Sequence, residues 1–229
     1  MTRQFSKTQL LLTYVLKVIV TLSALTGVIL SAYAGRRVFM GGRTVFMFFT
    51  IQSNIAVLLT SVIGAVLIKL GKVSPVWYII KFTVTVSITL TGVVFCFILA
   101  PTMRESAWNI QNVLTHVVVP AAAVIDFFVT GINSDIAKKN ILWVIVPPLL
   151  YAVYAGICYV QGREFIEGQN YPYFFLNWGS PAGAFGFTDS LPYMGCVWWI
   201  LLLLAILLAI ARIYLLIADI LKKSVQNKT

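Results

Sequence analysis

Six long apolar runs constrain this chain more than any other feature. They fall over roughly 10–34, 44–68, 77–100, 108–131, 140–160 and 192–220. Each is near or above the ~20 residues that a helix needs to cross a bilayer core of about 30 Å. Lipid offers the backbone no hydrogen-bond partner, so the segments must satisfy their own N–H and C=O groups, which at this length means α-helices. The runs predict an all-α polytopic membrane protein, a six-transmembrane-helix bundle spanning 1–229 as one domain. With 60% hydrophobic residues, 10% charged residues and a mean hydropathy of +0.92, the composition lies outside the range of soluble domains.

Six crossings put both termini on one side, and the basic residues say which. With a cytoplasmic N-terminus, the inner segments carry Arg3, Lys7, Lys69, Lys72, Lys138, Lys139, Lys222, Lys223 and Lys228, while Lys17, Lys81 and Arg212 snorkel near inner helix ends. The outer loops hold Arg36, Arg37, Arg43, Arg104 and Arg163. Twelve against five predicts cytoplasmic termini, although three of the five crowd the first outer loop. Trp77 and Trp143 at inner span ends and Trp108 at an outer one fit the same boundaries. The net charge of +10 is thereby explained by topology, and no nucleic-acid partner is called for.

Several chemistries are excluded early. Cys96, Cys158 and Cys196 all lie in apolar runs, are odd in number and form no CxxC, which argues against a disulfide framework or a zinc ribbon. The first apolar run reads as a span and not as a cleavable signal. A single histidine supplies neither bis-His haem ligation nor a multi-histidine zinc site, and no carboxylate cluster replaces it. No GxSxG, P-loop or dinucleotide fingerprint occurs in a suitable context. No metal and no organic cofactor is expected.

The informative segment is Phe49-Thr50-Ile51-Gln52-Ser53-Asn54, a polar interruption inside the second run. Polar side chains in lipid cost several kcal/mol unless the protein satisfies them. Thr50, Ser53, Asn54 and Val57 share one helical face, and Asn109, Asn112 and His116 share another on the fourth run. Counted from Thr44 and Trp108, Thr50 and His116 sit ~9 Å and ~12 Å below the outer helix ends, so they meet if spans two and four pack together. Asn112, one turn from His116, is placed to hold the imidazole in one tautomer by its amide. Pro120 removes the N–H that the His116 carbonyl would otherwise bond. Asp126, ~15 Å further along by rise, is expected to pair with Lys17 or Lys81.

These residues have the parts of a nucleophilic hydrolase. Thr50 supplies the hydroxyl and His116 the base, with Ser53, Asn54 and Gln52 as nearby donors for an oxyanion. The same residues fit two other roles. One is a proton-coupled transporter path through Thr50, Asn54, His116 and Asp126. The other is a non-enzymatic scaffold whose polar stripes hold helices together. The segment 161–191, rich in Gly, Pro and aromatics, is too long for a plain connection and is expected to form an outer cap or an interfacial anchor.

The Phe49–Asn54 segment, together with Leu114-Thr115-His116, Pro120 and Asp126, resembles the androgen-induced-gene family. That family includes the androgen-dependent TFPI-regulating protein and bacterial six-span proteins. Asn170-Tyr171-Pro172-Tyr173 and the Gln-Ser-Asn of span two are similar to the bacterial branch in particular. The resemblance implies an integral-membrane threonine hydrolase in a bacterial plasma membrane, with a site opening toward the extracytoplasmic half. Thr50 and His116 would be the catalytic pair, supported by Ser53, Asn54 and Asn112. The substrate would be a lipid or fatty acyl ester, in the animal members a fatty acid ester of a hydroxy fatty acid.

Overall fold

A computed structural model of the chain describes residues 6–34, 42–103, 107–131 and 136–226. Six helices are long and apolar enough to cross a membrane: α1 (Lys7–Tyr33), α2 (Phe49–Lys69), α3 (Pro75–Met103), α4 (Ile110–Thr130), α5 (Lys138–Val160) and α6 (Cys196–Lys223). The described residues contain no strand, only two isolated bridges within the 161–195 connection. The protein is an all-α integral membrane protein, as the six apolar runs predict. Arg3, Arg36, Arg37, Arg104 and Lys228, on which the sidedness count partly rests, lie outside the described residues.

Local signals set the helix ends. The Ser74 hydroxyl accepts from the Trp77 N–H at 3.2 Å, and Pro75 opens α3 where no N–H is required. Asn109 caps α4 through Oδ1, which accepts from the Asn112 N–H at 2.9 Å. α2 begins differently. A 3-10 turn over Gly42–Met47 precedes it, and Phe48 is extended, fully buried and without a side-chain cap. The span begins at Phe49 and not near Thr44, so Thr50 lies in the first turn of α2, where main-chain N–H groups have no partner in the helix.

Helices α1 to α4 pack in a ring, with α1 against α2 and α4, and α3 against the same two. α5 and α6 pack on each other and along α3. Burial differs from that of a soluble bundle at both surface and interior. Leu11, Leu22 and Ile29 of α1 face outward, while Thr13, Lys17, Thr50, Asn54, Thr85 and Thr115 are buried among the helices. Lipid solvates the apolar surface, and the interior must then satisfy the polar groups.

Two helices contain wide turns. Phe95–Leu99 in α3 and Leu114–Val118 in α4 bond i→i+5, with the Ala100 N–H reaching the Phe95 carbonyl and the Val119 N–H reaching that of Leu114. Such an insertion rotates the side chains on either side of it and is common at functional sites. α4 enters its wide turn between two glycines. A Cβ on Gly27 of α1 would stand 2.7 Å from the Thr115 methyl, and one on Gly92 of α3 would stand 2.8 Å from the His116 carbonyl oxygen.

Far from these turns, Asp126 joins both of its expected partners. Oδ2 lies 2.8 Å from Lys17 Nζ and 2.8 Å from Lys81 Nζ, all three side chains being buried. Lys81 also donates to the Asp126 carbonyl at 3.0 Å and to the Thr130 hydroxyl. The cluster ties α1, α3 and α4 together. Removing the carboxylate leaves two buried cations without their counter-charge. Asp126→Ala is expected to lower unfolding free energy by about 3–5 kcal/mol, measured by denaturant titration in micelles, whereas Arg212→Ala changes it by less than about 0.5 kcal/mol.

Candidate functional site

α2 meets α4 at the wide turn, and there Thr50 Oγ1 lies 3.3 Å from His116 Nε2. Both residues are about 4% exposed. The two spans thus pack as the polar faces require.

The tautomer of the imidazole follows from its other nitrogen. Nδ1 lies 3.1 Å from the Asn112 carbonyl and 3.0 Å from the Thr115 hydroxyl. The Thr115 hydroxyl gives its own proton to the Gln111 carbonyl at 2.8 Å, so toward Nδ1 it acts as an acceptor. Two acceptors demand an N–H at Nδ1, which leaves the lone pair on Nε2 facing Thr50. Phe95, at the start of the wide turn in α3, stacks on the ring at 3.9 Å and 20° and fixes its plane. Asn112 therefore orients the histidine through its main-chain carbonyl. Its amide, expected to do this, donates to the Ala107 carbonyl at 2.9 Å instead.

The other expected donors brace Thr50 from behind. Asn54 Nδ2 donates to the Thr50 carbonyl at 2.8 Å and to the Thr115 carbonyl at 3.1 Å. Across the i→i+5 register, Pro120 falls opposite the Thr115 carbonyl and has no N–H to give, so Asn54 supplies the missing donor. The Ser53 hydroxyl lies 3.0 Å from the Thr50 carbonyl and 3.0 Å from the Thr91 hydroxyl. Gln52 is exposed and donates to the Phe46 carbonyl at 3.1 Å. None of the three aims a donor past the Thr50 hydroxyl, where an oxyanion would form.

The sequence did not single out Tyr173 as a site residue. It comes from the long connection between α5 and α6, which folds inward over α2 and buries Phe165, Tyr173, Phe175 and Leu176 in the core. Its hydroxyl lies 3.4 Å from Thr50 Oγ1 and accepts from the otherwise unpaired Thr50 N–H at 3.4 Å. Phe175 stacks on its ring at 5.0 Å and Phe48 meets it edge-on at 5.9 Å. Burial pushes the Tyr173 phenol above the ordinary tyrosine range while its contacts with Thr50 pull the other way, so at neutral pH it is a protonated donor. An aromatic-rich stretch gives no clue that one ring of it will reach a helix start.

Thr50, Tyr151 and Tyr173 line an apolar cleft between α3, α5 and α6 together with Leu90, Val94, Ala152 and Leu203. Its cavity volume is about 70 Å³, and it is partly open to the outside. A second, larger cleft of about 380 Å³ lies between α2, α3 and α5, and Phe49 and Tyr151 form part of the lining of both. His116 lines neither, so the imidazole stands behind the hydroxyl and the cleft in front of it. The chain matches no family model, no curated protein and no solved structure.

If Asn54 completes the wide turn, Asn54→Leu leaves the Thr115 carbonyl buried without a donor. It is expected to cost about 1–3 kcal/mol by denaturant titration, while Gln52→Leu stays within about 0.5 kcal/mol of the parent.

Proposed function

We propose that the protein is an intramembrane hydrolase that cleaves esters of lipids or other amphipathic acyl compounds, with Thr50 as nucleophile and His116 as general base. One observation carries this: Thr50 Oγ1 lies 3.3 Å from Nε2 of an imidazole whose other nitrogen lies 3.1 Å from the Asn112 carbonyl, an acceptor that calls for the ring proton on Nδ1. A threonine hydroxyl is a weak nucleophile until a positioned base takes its proton. Here the base, the hydroxyl and the cleft follow in that order.

In the reaction, Oγ1 attacks the ester carbonyl carbon as its proton passes to Nε2. The tetrahedral intermediate collapses with loss of the alkoxy group, which leaves with the proton from Nε2. Water then repeats the sequence on the acyl-threonine, freeing the acid and restoring the hydroxyl. The cleft has an apolar lining suited to one hydrocarbon limb of the substrate. The resemblance to the androgen-induced-gene family points to the same pair and to fatty acid esters of hydroxy fatty acids as a substrate class.

A transporter path through Asp126 draws less support, because two ammonium groups already hold its Oδ2. The experiment is labelling by an alkyl fluorophosphonate in micelles, read by peptide mass spectrometry. Thr50 is expected to carry the adduct, Thr50→Ala to carry none, and His116→Ala to label at least 100-fold more slowly. Labelling elsewhere, or at an unchanged rate without the imidazole, overturns the proposal.

A further inference from the structure

Attack at an ester carbonyl moves negative charge onto its oxygen, and the site needs donors at that point. Ser53, Asn54 and Gln52 are all turned elsewhere. Two phenols face the cleft instead. The Tyr173 hydroxyl is 3.4 Å from the attacking oxygen. The Tyr151 hydroxyl is buried in the same cleft, loosely facing the Tyr173 hydroxyl and the Phe49 main chain, and makes no well-formed hydrogen bond among the described residues. The two rings lie 6.3 Å apart at 51°, and Tyr151 is held by Phe49 at 5.2 Å and Tyr154 at 5.9 Å. A buried hydroxyl that lacks a well-formed hydrogen bond is costly. One that persists beside a nucleophile, on a wall open to ligand, has a ligand atom as its natural acceptor.

We propose that Tyr151 and Tyr173 are catalytic residues that form the oxyanion site, their phenol O–H groups donating to the carbonyl oxygen of the bound ester. This rests on the hydrolase proposed above. Before attack, the Thr50 O–H donates a hydrogen bond to Nε2 and Oγ1 accepts one from the Tyr173 O–H. As a lone pair of Oγ1 becomes the new O–C bond, Oγ1 loses its strength as an acceptor. The carbonyl π pair moves onto the neighbouring oxygen at the same moment, and the Tyr173 donor turns to it. Tyr151, giving up only its loose contacts with Tyr173 and the Phe49 main chain, donates to the same oxygen. Neither phenol transfers its proton. Both bonds are stronger in the transition state than with the neutral ester, which is the condition for them to accelerate the reaction.

The test is turnover of medium-chain p-nitrophenyl esters by the full chain in micelles, with Tyr151→Phe and Tyr173→Phe, which keep ring and volume. Each is expected to lower kcat roughly 10²- to 10³-fold, to change KM less than about twofold, and to weaken binding of a trifluoromethyl ketone of the same chain length by the same factor as kcat. Unchanged kcat, or a loss confined to KM, overturns the oxyanion assignment while leaving Thr50 and His116 in place. A parent protein that neither turns over these esters nor labels at Thr50 overturns both. If a Phe variant does not fold, fluorotyrosine at that position preserves the shape and makes the phenol a stronger donor. A change in kcat with the number of fluorines is then expected, and independence from fluorination overturns the assignment.

Discussion

The contact on which the site depends is the hydrogen bond from Asn54 to the Thr115 carbonyl. The i→i+5 turn at Leu114–Val118 puts an extra residue into α4 and leaves this carbonyl facing a proline. Buried in a membrane protein, an unmet carbonyl costs more than the bond itself contributes. Asn54 removes that cost and pins α2 to α4 at the level where Thr50 and His116 must meet. Gly27 and Gly92 provide the room on either side, since a methyl at either position would collide with the widened turn. A polar side chain, two glycines and a proline on four helices thus impose one local geometry.

That geometry orders the reacting groups in a line. The Asn112 carbonyl fixes the imidazole, the imidazole faces the hydroxyl, and the hydroxyl faces the cleft, with Tyr173 reaching over from the α5–α6 connection. The start of α2 suits this role because Phe48 leaves it without a side-chain cap, so the Thr50 N–H is free for the tyrosine. The Lys17–Asp126–Lys81 cluster lies apart from this line and holds three of the same helices. Its one carboxylate is shared by both lysines, in keeping with an architectural part.

The six spans were legible because hydrophobic length is read directly from composition. The shared face of Thr50, Ser53, Asn54 and Val57 was legible because helical periodicity persists in lipid, and all four are buried. The pairing of Asp126 with lysine was legible because a lone carboxylate at that depth is untenable, although the sequence suggested one partner and the structure has two. What was not legible depends on backbone register. Depth counted from Thr44 assumed an unbroken helix, whereas α2 starts at Phe49 after a 3-10 turn. Uniform i→i+4 bonding pointed to the His116 carbonyl as the one that Pro120 strips, yet the wide turn brings Thr115's to the fore. It also gave Asn112's amide a task that its carbonyl performs. Tyr173 arrives from 57 residues beyond His116 through a connection with no periodicity to extrapolate.

The central claim is a protonation pattern on one ring, and the chain has a single histidine to observe. Nitrogen-15 NMR of histidine-labelled protein in bilayers at neutral pH reads it directly. A pyrrole-type resonance is expected for Nδ1 and a hydrogen-bonded pyridine-type resonance for Nε2, the latter shifting in Thr50→Val while the former stays. A proton on Nε2, or an Nε2 resonance indifferent to the loss of the Thr50 hydroxyl, would contradict that pattern.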